Sequence, residues 1–239
     1  AAAVLEKSKI KHELRVCSAH RTPEMLDKIM EEEDYEAIIA GAGLAAALPG
    51  VVAAKTTVPV IGVPLAGAFE GLDALLSIIQ MPPGIPVITT GVNNSEEAAE
   101  FAAKITQAKM RKVNLISLGN ANQKAIGKAT DTLKELGIPY SSSDNISAGA
   151  INLCFVDINQ KKVQESKEIV IYCPTAKKET AADAAKLLQL TKTGVWVGLN
   201  RGENAAVAAA EIMKMRTKLN EYRLDMKAKV EQADREAKG

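Results

Sequence analysis

The side chains best suited to chemistry lie in one short run, Leu14–Glu24, which reads LRVCSAHRTPE. It contains the imidazole of His20, the guanidinium of Arg21 and the hydroxyl of Ser18. An imidazole can carry protons near neutral pH, and a guanidinium can bind phosphate or carboxylate through two hydrogen bonds. The run therefore indicates a site for proton transfer beside a bound anion.

Two elements must position these groups. The apolar pattern predicts a strand over 13–17, and a helix begins soon after it, with Thr22 as N-cap and Pro23 at the first helical position. Open α/β sheets bind anionic ligands at the carboxyl ends of strands and the amino ends of helices. The alternative is a surface turn whose imidazole and guanidinium are only solvated.

The composition excludes several classes of protein. The chain has 239 residues, of which 47% are hydrophobic, so we expect one large or two small domains with a real core. Its 30 basic and 29 acidic residues give no sign of binding to nucleic acid or to an anionic membrane. No segment approaches the roughly 20 apolar residues that span a bilayer. Because Glu6 and Lys7 interrupt any signal-peptide core, we expect a cytoplasmic protein.

The cysteines and histidines give no metal site. Cys17, Cys154 and Cys173 are widely spaced and form no CxxC pair, which is typical of free thiols in a reducing compartment. The chain has 2 histidines, His12 and His20, so a centre with several histidine ligands is excluded.

Strand-like and helix-like segments alternate along the chain. The apolar runs that predict strands are 13–17, 36–40, 58–63, 85–90, 113–118, 151–156, 168–173 and 194–199. Ala-rich or periodic stretches between most of them predict helices. This alternation favours parallel sheets with helices on both faces.

The chain also resembles itself. Residues 91–99 are similar to 198–206, and 60–64 are similar to 170–174, in the same order. We interpret this as a tandem duplication with units 1–109 and 110–239, the second of which lacks the His and Arg of the first. The alternative is chance similarity between two ordinary α/β stretches. By the same comparison, 1–9 is the second half of a helix, and a strand and turn would be expected before it.

Four motifs carry a resemblance to a known family. They are Ser18–Glu24 (SAHRTPE), Gly41–Gly50 (GAGLAAALPG), Gly71–Ser77 (GLDALLS) and Gln80–Gly84 (QMPPG). Together they resemble 5-(carboxyamino)imidazole ribonucleotide mutase, which is close to the phosphoribosylaminoimidazole carboxylases of purine biosynthesis. The resemblance covers about 1–106 and is weaker over 113–239.

This resemblance implies a flavodoxin-like, doubly wound parallel sheet in three αβα layers, a homo-octamer and no cofactor. It implies a mutase that moves a carboxylate from the exocyclic nitrogen of an imidazole ribonucleotide to a ring carbon, with His20 as the proton carrier. The substrate-binding residues that it implies are Ser18, Ala19, Arg21, Ala42, Gly43, Leu44 and Leu48. It also implies that the turn at 81–84 lies near a subunit contact.

Three features depart from the family pattern. No Gly-Ser-x-Ser-Asp phosphate loop precedes 13–17, Ala47 stands where the family usually has histidine, and Leu44 stands where many members have glycine. The alternatives are therefore a direct carboxylase and a non-catalytic structural paralogue. The expected partner is a small ribonucleotide, with no nucleic acid or membrane. The expected assembly is a homotetramer of tandem units.

Overall fold

The computed structural model describes residues 1–32, 35–160, 163 and 166–238. The helices are α1 (Ala2–Lys7), α2 (Pro23–Glu32), α3 (Ala47–Lys55), α4 (Leu72–Ile79), α5 (Ser95–Thr106), α6 (Gln123–Glu135), α7 (Ala181–Leu190), α8 (Gly202–Ile212) and α9 (Arg216–Lys238). The strands are β1 (Ile38–Gly43), β2 (Val60–Leu65), β3 (Ile88–Thr89), β4 (Val113–Leu118), β5 (Tyr140–Ser142), β6 (Ile151–Asp157) and β7 (Val170–Thr175).

The strands form two parallel arrays, in the orders β1-β2-β3 and β5-β4-β6-β7. Trp196 joins them, because it bridges Thr89 in an antiparallel sense and Tyr172 in a parallel sense. Helices flank the strands, so the chain has the α/β, flavodoxin-like fold that the sequence predicts. The long connections between parallel strands are what place helices against a sheet.

The core is built from aliphatic side chains, as the low aromatic content requires. In β6 every residue from Ile151 to Val156 is buried, and α8 is buried along its whole length. Small residues allow α8 to lie close to α6: a Cβ on Gly202 would stand 1.8 Å from the carbonyl oxygen of Ala125. Among the described residues, no helix combines the length and apolarity that a membrane span needs.

The strand predicted over 13–17 is wrong. This segment has no ladder partner in the described structure, and Leu14 and Val16 are 80% and 84% exposed. The carboxyl-terminal array shows the reason. There the edge strand β5, which corresponds to 13–17, pairs with β4, and β4 in turn pairs with β6. Among the described residues no strand takes the corresponding place beside β1, and an extended apolar segment forms no ladder without a neighbouring strand.

Other strand predictions need smaller corrections. The run 194–199 supplies only the bridges of Trp196, and the run 85–90 is reduced to β3. The predictions at 36–40 and 58–63 correspond to β1 and β2, each of which begins and ends a few residues later. The strand β5 was not predicted, because its sequence Tyr-Ser-Ser lacks an apolar run.

Matched hydrogen bonds cross between the amino-terminal half (1–109) and the carboxyl-terminal half (110–239). The amide of Gly194 donates to Glu97 Oε1 at 2.5 Å, and the amide of Gly84 donates to Asn204 Oδ1 at 2.7 Å. Both glycines have a left-handed backbone, with φ of 83° and 85°. Each half therefore holds a glycine turn of the other through the side chain of a helix, α5 or α8.

Candidate functional site

The histidine run forms a compact turn closed by two hydroxyl groups. The Ser18 amide donates to Thr22 Oγ1 at 2.9 Å, and that hydroxyl donates back to the Ser18 carbonyl. The Arg21 amide donates to Ser18 Oγ at 3.2 Å. The hydroxyl of Thr22, which the sequence predicts as a helix cap, closes the turn onto Ser18, and Pro23 begins α2 as predicted.

This turn presents the reactive side chains to solvent. His20 and Arg21 are exposed, whereas Ser18 and Ala19 are half-buried. Because the turn is fixed by backbone and hydroxyl groups, the imidazole and the guanidinium are left available for a ligand. They stand directly before the amino end of α2, where the helix dipole favours a bound anion.

The second predicted segment lies where β1 leads into α3. Ala42 and Gly43 end β1, and Leu44 follows with a left-handed backbone at φ 57° and a 65% exposed side chain. The helix α3 has Ala46 at its N-cap without a side-chain cap, so its first amides receive no bond from the capping residue. Leu48 lies in the first turn of this helix. The segment therefore offers small residues and backbone donors to a ligand.

The fold brings the two predicted segments to the same cluster of side chains. Ala19, Ala42 and Leu48 all pack against one buried group in the amino-terminal half. An ion pair also joins α2 and α3, in which Lys55 Nζ of α3 lies 2.7 Å from Asp27 Oδ1 of α2. Both predicted segments therefore pack on the same cluster of the amino-terminal half, one before α2 and one at the start of α3.

The structure adds a third loop that the sequence reasoning missed, at 66–71 after β2. A Cβ on Gly67 would lie 3.9 Å from Leu44 Cδ2, so this loop runs beside the second segment. Phe69 is 78% exposed with φ 49°. A large aromatic side chain in a strained, exposed turn is unusual and is often found at functional sites. The signal in the sequence was the position of this loop directly after a predicted strand.

The carboxyl-terminal half lacks the same arrangement. β5 and β6 are joined by 143–150 without a helix, and the described residues between β6 and β7 also contain none. At the end of β4, Asn122 is engaged internally: its amide donates to Thr175 Oγ1, and its side chain donates to the carbonyl of Ala176. The polar groups of Asn122 are thus used for bonds within the carboxyl-terminal half.

Comparison with known proteins gives a family match that includes the whole half that carries this site. The AIR carboxylase family matches residues 1–115. A Methanocaldococcus jannaschii protein named N5-carboxyaminoimidazole ribonucleotide mutase is 44% identical over 135 residues, which cover 56% of this chain and 86% of that protein. A Pyrococcus abyssi protein of the same name is 55% identical over 113 residues, covering 46% of this chain and 65% of that protein.

The chain is also similar to proteins that are named phosphoribosylaminoimidazole carboxylase. A Candida albicans protein named phosphoribosylaminoimidazole carboxylase is 44% identical over 153 residues, or 61% of this chain. The matched part is 27% of the Candida protein, so the chain spans only a minor part of that longer relative.

Proposed function

The chain belongs to the AIR carboxylase family, and from that premise we propose that it is an N5-carboxyaminoimidazole ribonucleotide mutase of purine biosynthesis. The reaction moves a carboxylate from the exocyclic nitrogen of the ribonucleotide to a ring carbon. The product is 4-carboxy-5-aminoimidazole ribonucleotide, so the enzyme is an isomerase. The observation that carries the proposal is the Ser18–Thr22 turn, which presents an imidazole and a guanidinium to solvent and packs through Ala19 on the same cluster as the α3 segment.

His20 is the proton carrier in this proposal. As the bond from nitrogen to the carboxyl carbon breaks, carbon dioxide leaves and the imidazolium gives its proton to the nitrogen. The ring carbon then attacks carbon dioxide, and the neutral imidazole removes the ring proton, which restores the starting state. An imidazole can both give and accept a proton, which suits both steps.

The remaining predicted residues bind the substrate. Arg21 and Ser18 hold the phosphate or carboxylate, with Ala19 forming the floor of the turn. The backbone of Ala42, Gly43 and Leu44 holds carbon dioxide beside Leu48. The support for these roles is that both segments pack on one cluster and that small residues at the end of β1 let a ligand approach the backbone closely.

An activity assay of the purified chain tests the proposal. We expect the carboxylated amine to be converted to the carbon-linked acid without added bicarbonate. Direct carboxylation of the uncarboxylated ribonucleotide is the second candidate, which the Candida albicans relative favours. Turnover that requires bicarbonate would establish that alternative. A folded chain that turns over neither substrate would be a non-catalytic paralogue.

We also infer that the two halves arose by tandem duplication, with units 1–109 and 110–239. The matched Gly84 and Gly194 hydrogen bonds support this. One chain carries two units, so four chains would supply the eight units of the octamer that the resemblance implies. We therefore propose a homotetramer of about 100 kDa, built from the 25.4 kDa chain. We also propose that it is located in the cytoplasm. Light scattering after size exclusion tests the assembly, and a monomer at micromolar concentration would contradict it.

A further inference from the structure

A buried ion pair connects the carboxyl-terminal half to the helix that bears the candidate site. Arg223 of α9 donates through Nη2 to Glu211 Oε1 of α8 at 3.0 Å. Through Nη1 it also donates to the carbonyl oxygens of Ala53 and Thr56, at 3.0 and 2.5 Å, where α3 ends. One guanidinium therefore joins α8, α9 and the last turn of α3.

This contact is shielded from water. The side chain of Glu211 is 2% exposed and that of Arg223 is 14% exposed. Burial raises the pKa of the Glu211 carboxyl and lowers the pKa of Arg223, while their mutual attraction opposes both shifts. A planar guanidinium can donate to a carboxylate and to two carbonyls at once, which a lysine ammonium on a flexible stem does less well.

The position of α3 depends more on these hydrogen bonds from Arg223 than on the ion pair that joins α3 to α2. The Lys55–Asp27 pair that ties α3 to α2 is 37% and 49% exposed, and exposed pairs contribute little. By contrast, the Arg223 cation meets the negative end of the α3 dipole and satisfies carbonyls that have no partner within the helix. The helix has 9 residues and behaves as a short rigid rod, so fixing its carboxyl end also fixes its amino end.

We propose that Arg223 is a positioning residue for the substrate site, acting through α3 on the segment 42–48. The inference rests on the proposed function, and it gives the carboxyl-terminal half a part in catalysis. Arg223 lies at the far end of α3 from the substrate-binding segment, so its effect is mechanical: it sets where the α3 amides and Leu44 meet the ligand.

The test compares three variants with the parent protein. The double variant Arg223→Met/Glu211→Met removes the contact but keeps the volume, and replacing a buried ion pair by apolar residues is often neutral for stability. Arg223→Lys keeps the positive charge but loses the planar guanidinium that donates to several acceptors at once. Lys214→Met is the matched control, since it breaks the exposed contact of Lys214 with Glu36, which also joins the two halves.

Two readouts separate positioning from stability. Hydrogen exchange should quicken about tenfold in the peptide that covers 42–56 of the double variant and less in Arg223→Lys. The KM for the ribonucleotide should rise about tenfold with a smaller change in kcat, while Lys214→Met matches the parent in both. The unfolding midpoint of the double variant should stay within a few degrees.

Exchange and KM equal to those of the parent, in a folded double variant, would overturn the inference. If the double variant does not fold, Arg223→Lys decides in the same way. Faster exchange with an unchanged KM would show that Arg223 holds α3 but does not position the site, which also overturns it. A parent that turns over no imidazole ribonucleotide would instead contradict the proposed function, and the exchange result would still report whether the pair holds α3.

Discussion

Asn93 and Asn200 occupy the same structural position in the two halves of the chain. Each has a left-handed backbone, with φ of 59° and 58°, and each donates its amide to a proline carbonyl at 2.8 Å, that of Pro64 or Pro174. Each side-chain oxygen then accepts the amide of the alanine two residues beyond that proline, at 2.9 and 3.0 Å. The same turn is therefore held in both halves, but only in the amino-terminal half does it border the candidate site.

This equivalence predicts a difference between two matched substitutions. Asn93→Ala and Asn200→Ala each leave a backbone amide without its acceptor and place alanine at positive φ. Each should lower the free energy of unfolding by about 1–3 kcal/mol, as measured in urea. Only Asn93→Ala should also raise KM, because Asn93 holds the loop 66–71 beside Leu44. An equal effect of both substitutions on KM would contradict the placement of the site.

Backbone strain at Leu44 gives a second prediction. Leu44 has φ 57° and a 65% exposed side chain, so shortening it removes little buried surface. Leu44→Gly and Leu44→Ala both remove the side chain, but only glycine adopts this conformation without a Cβ penalty. Leu44→Gly should be more stable than Leu44→Ala by about 1 kcal/mol in urea unfolding. Equal stabilities would show that Leu44 is not strained.

The asymmetry of the halves predicts the number of ligands per chain. The start of α2 and the start of α3 have no counterparts in the described carboxyl-terminal half, where Asn122 is bonded to Thr175 and Ala176. Calorimetric titration with the carboxylated ribonucleotide product should therefore give one site per chain. Arg21→Ala should weaken this binding at least tenfold. Two equal sites per chain would reverse the assignment of the halves.

A buried thiol predicts how stability changes in alkaline solution. Burial raises the pKa of Cys154 to about 12, whereas an unfolded cysteine titrates near about 8.5. The unfolded state thus releases this proton first, so the stability that the neutral thiol contributes is full below about pH 8.5 and is lost as the pH rises toward 12.

The measurement is the free energy of unfolding of the parent and of Cys154→Ala between pH 6 and 10.5. Above pH 8.5 the parent should lose about 1.4 kcal/mol per pH unit more than the variant. Below pH 8 the difference between the two should stay constant. Parallel curves over the whole range would rule out the raised pKa.

Local patterns predicted much of this structure. The α/β alternation and the helix that begins at Pro23 depend on hydrophobic period and end residues, and the structure confirms both. The segment 13–17 was mispredicted because strand formation needs a neighbouring strand as well as an apolar pattern. The contact of Arg223 with α3 was also beyond prediction, since it joins residues far apart in the chain.

The candidate site was predicted in part. The motifs singled out Ser18–Arg21 and 42–48, and their common packing is a result of the fold. The loop with Phe69 escaped notice because Phe-Glu has no turn signature, and its left-handed backbone depends on the tertiary setting.

The most direct test of the account is the turnover of His20→Asn with the carboxylated amine as substrate. An amide keeps hydrogen-bonding groups on a side chain that fits an exposed position, but it cannot accept and return a proton near neutral pH, so turnover should fall a hundredfold or more with an unchanged unfolding midpoint. His12→Asn is the matched control, because His12 is exposed and its ring bonds to the local backbone carbonyl of Ile10, and it should keep parental turnover. A folded His20→Asn protein with parental turnover would contradict the central claim.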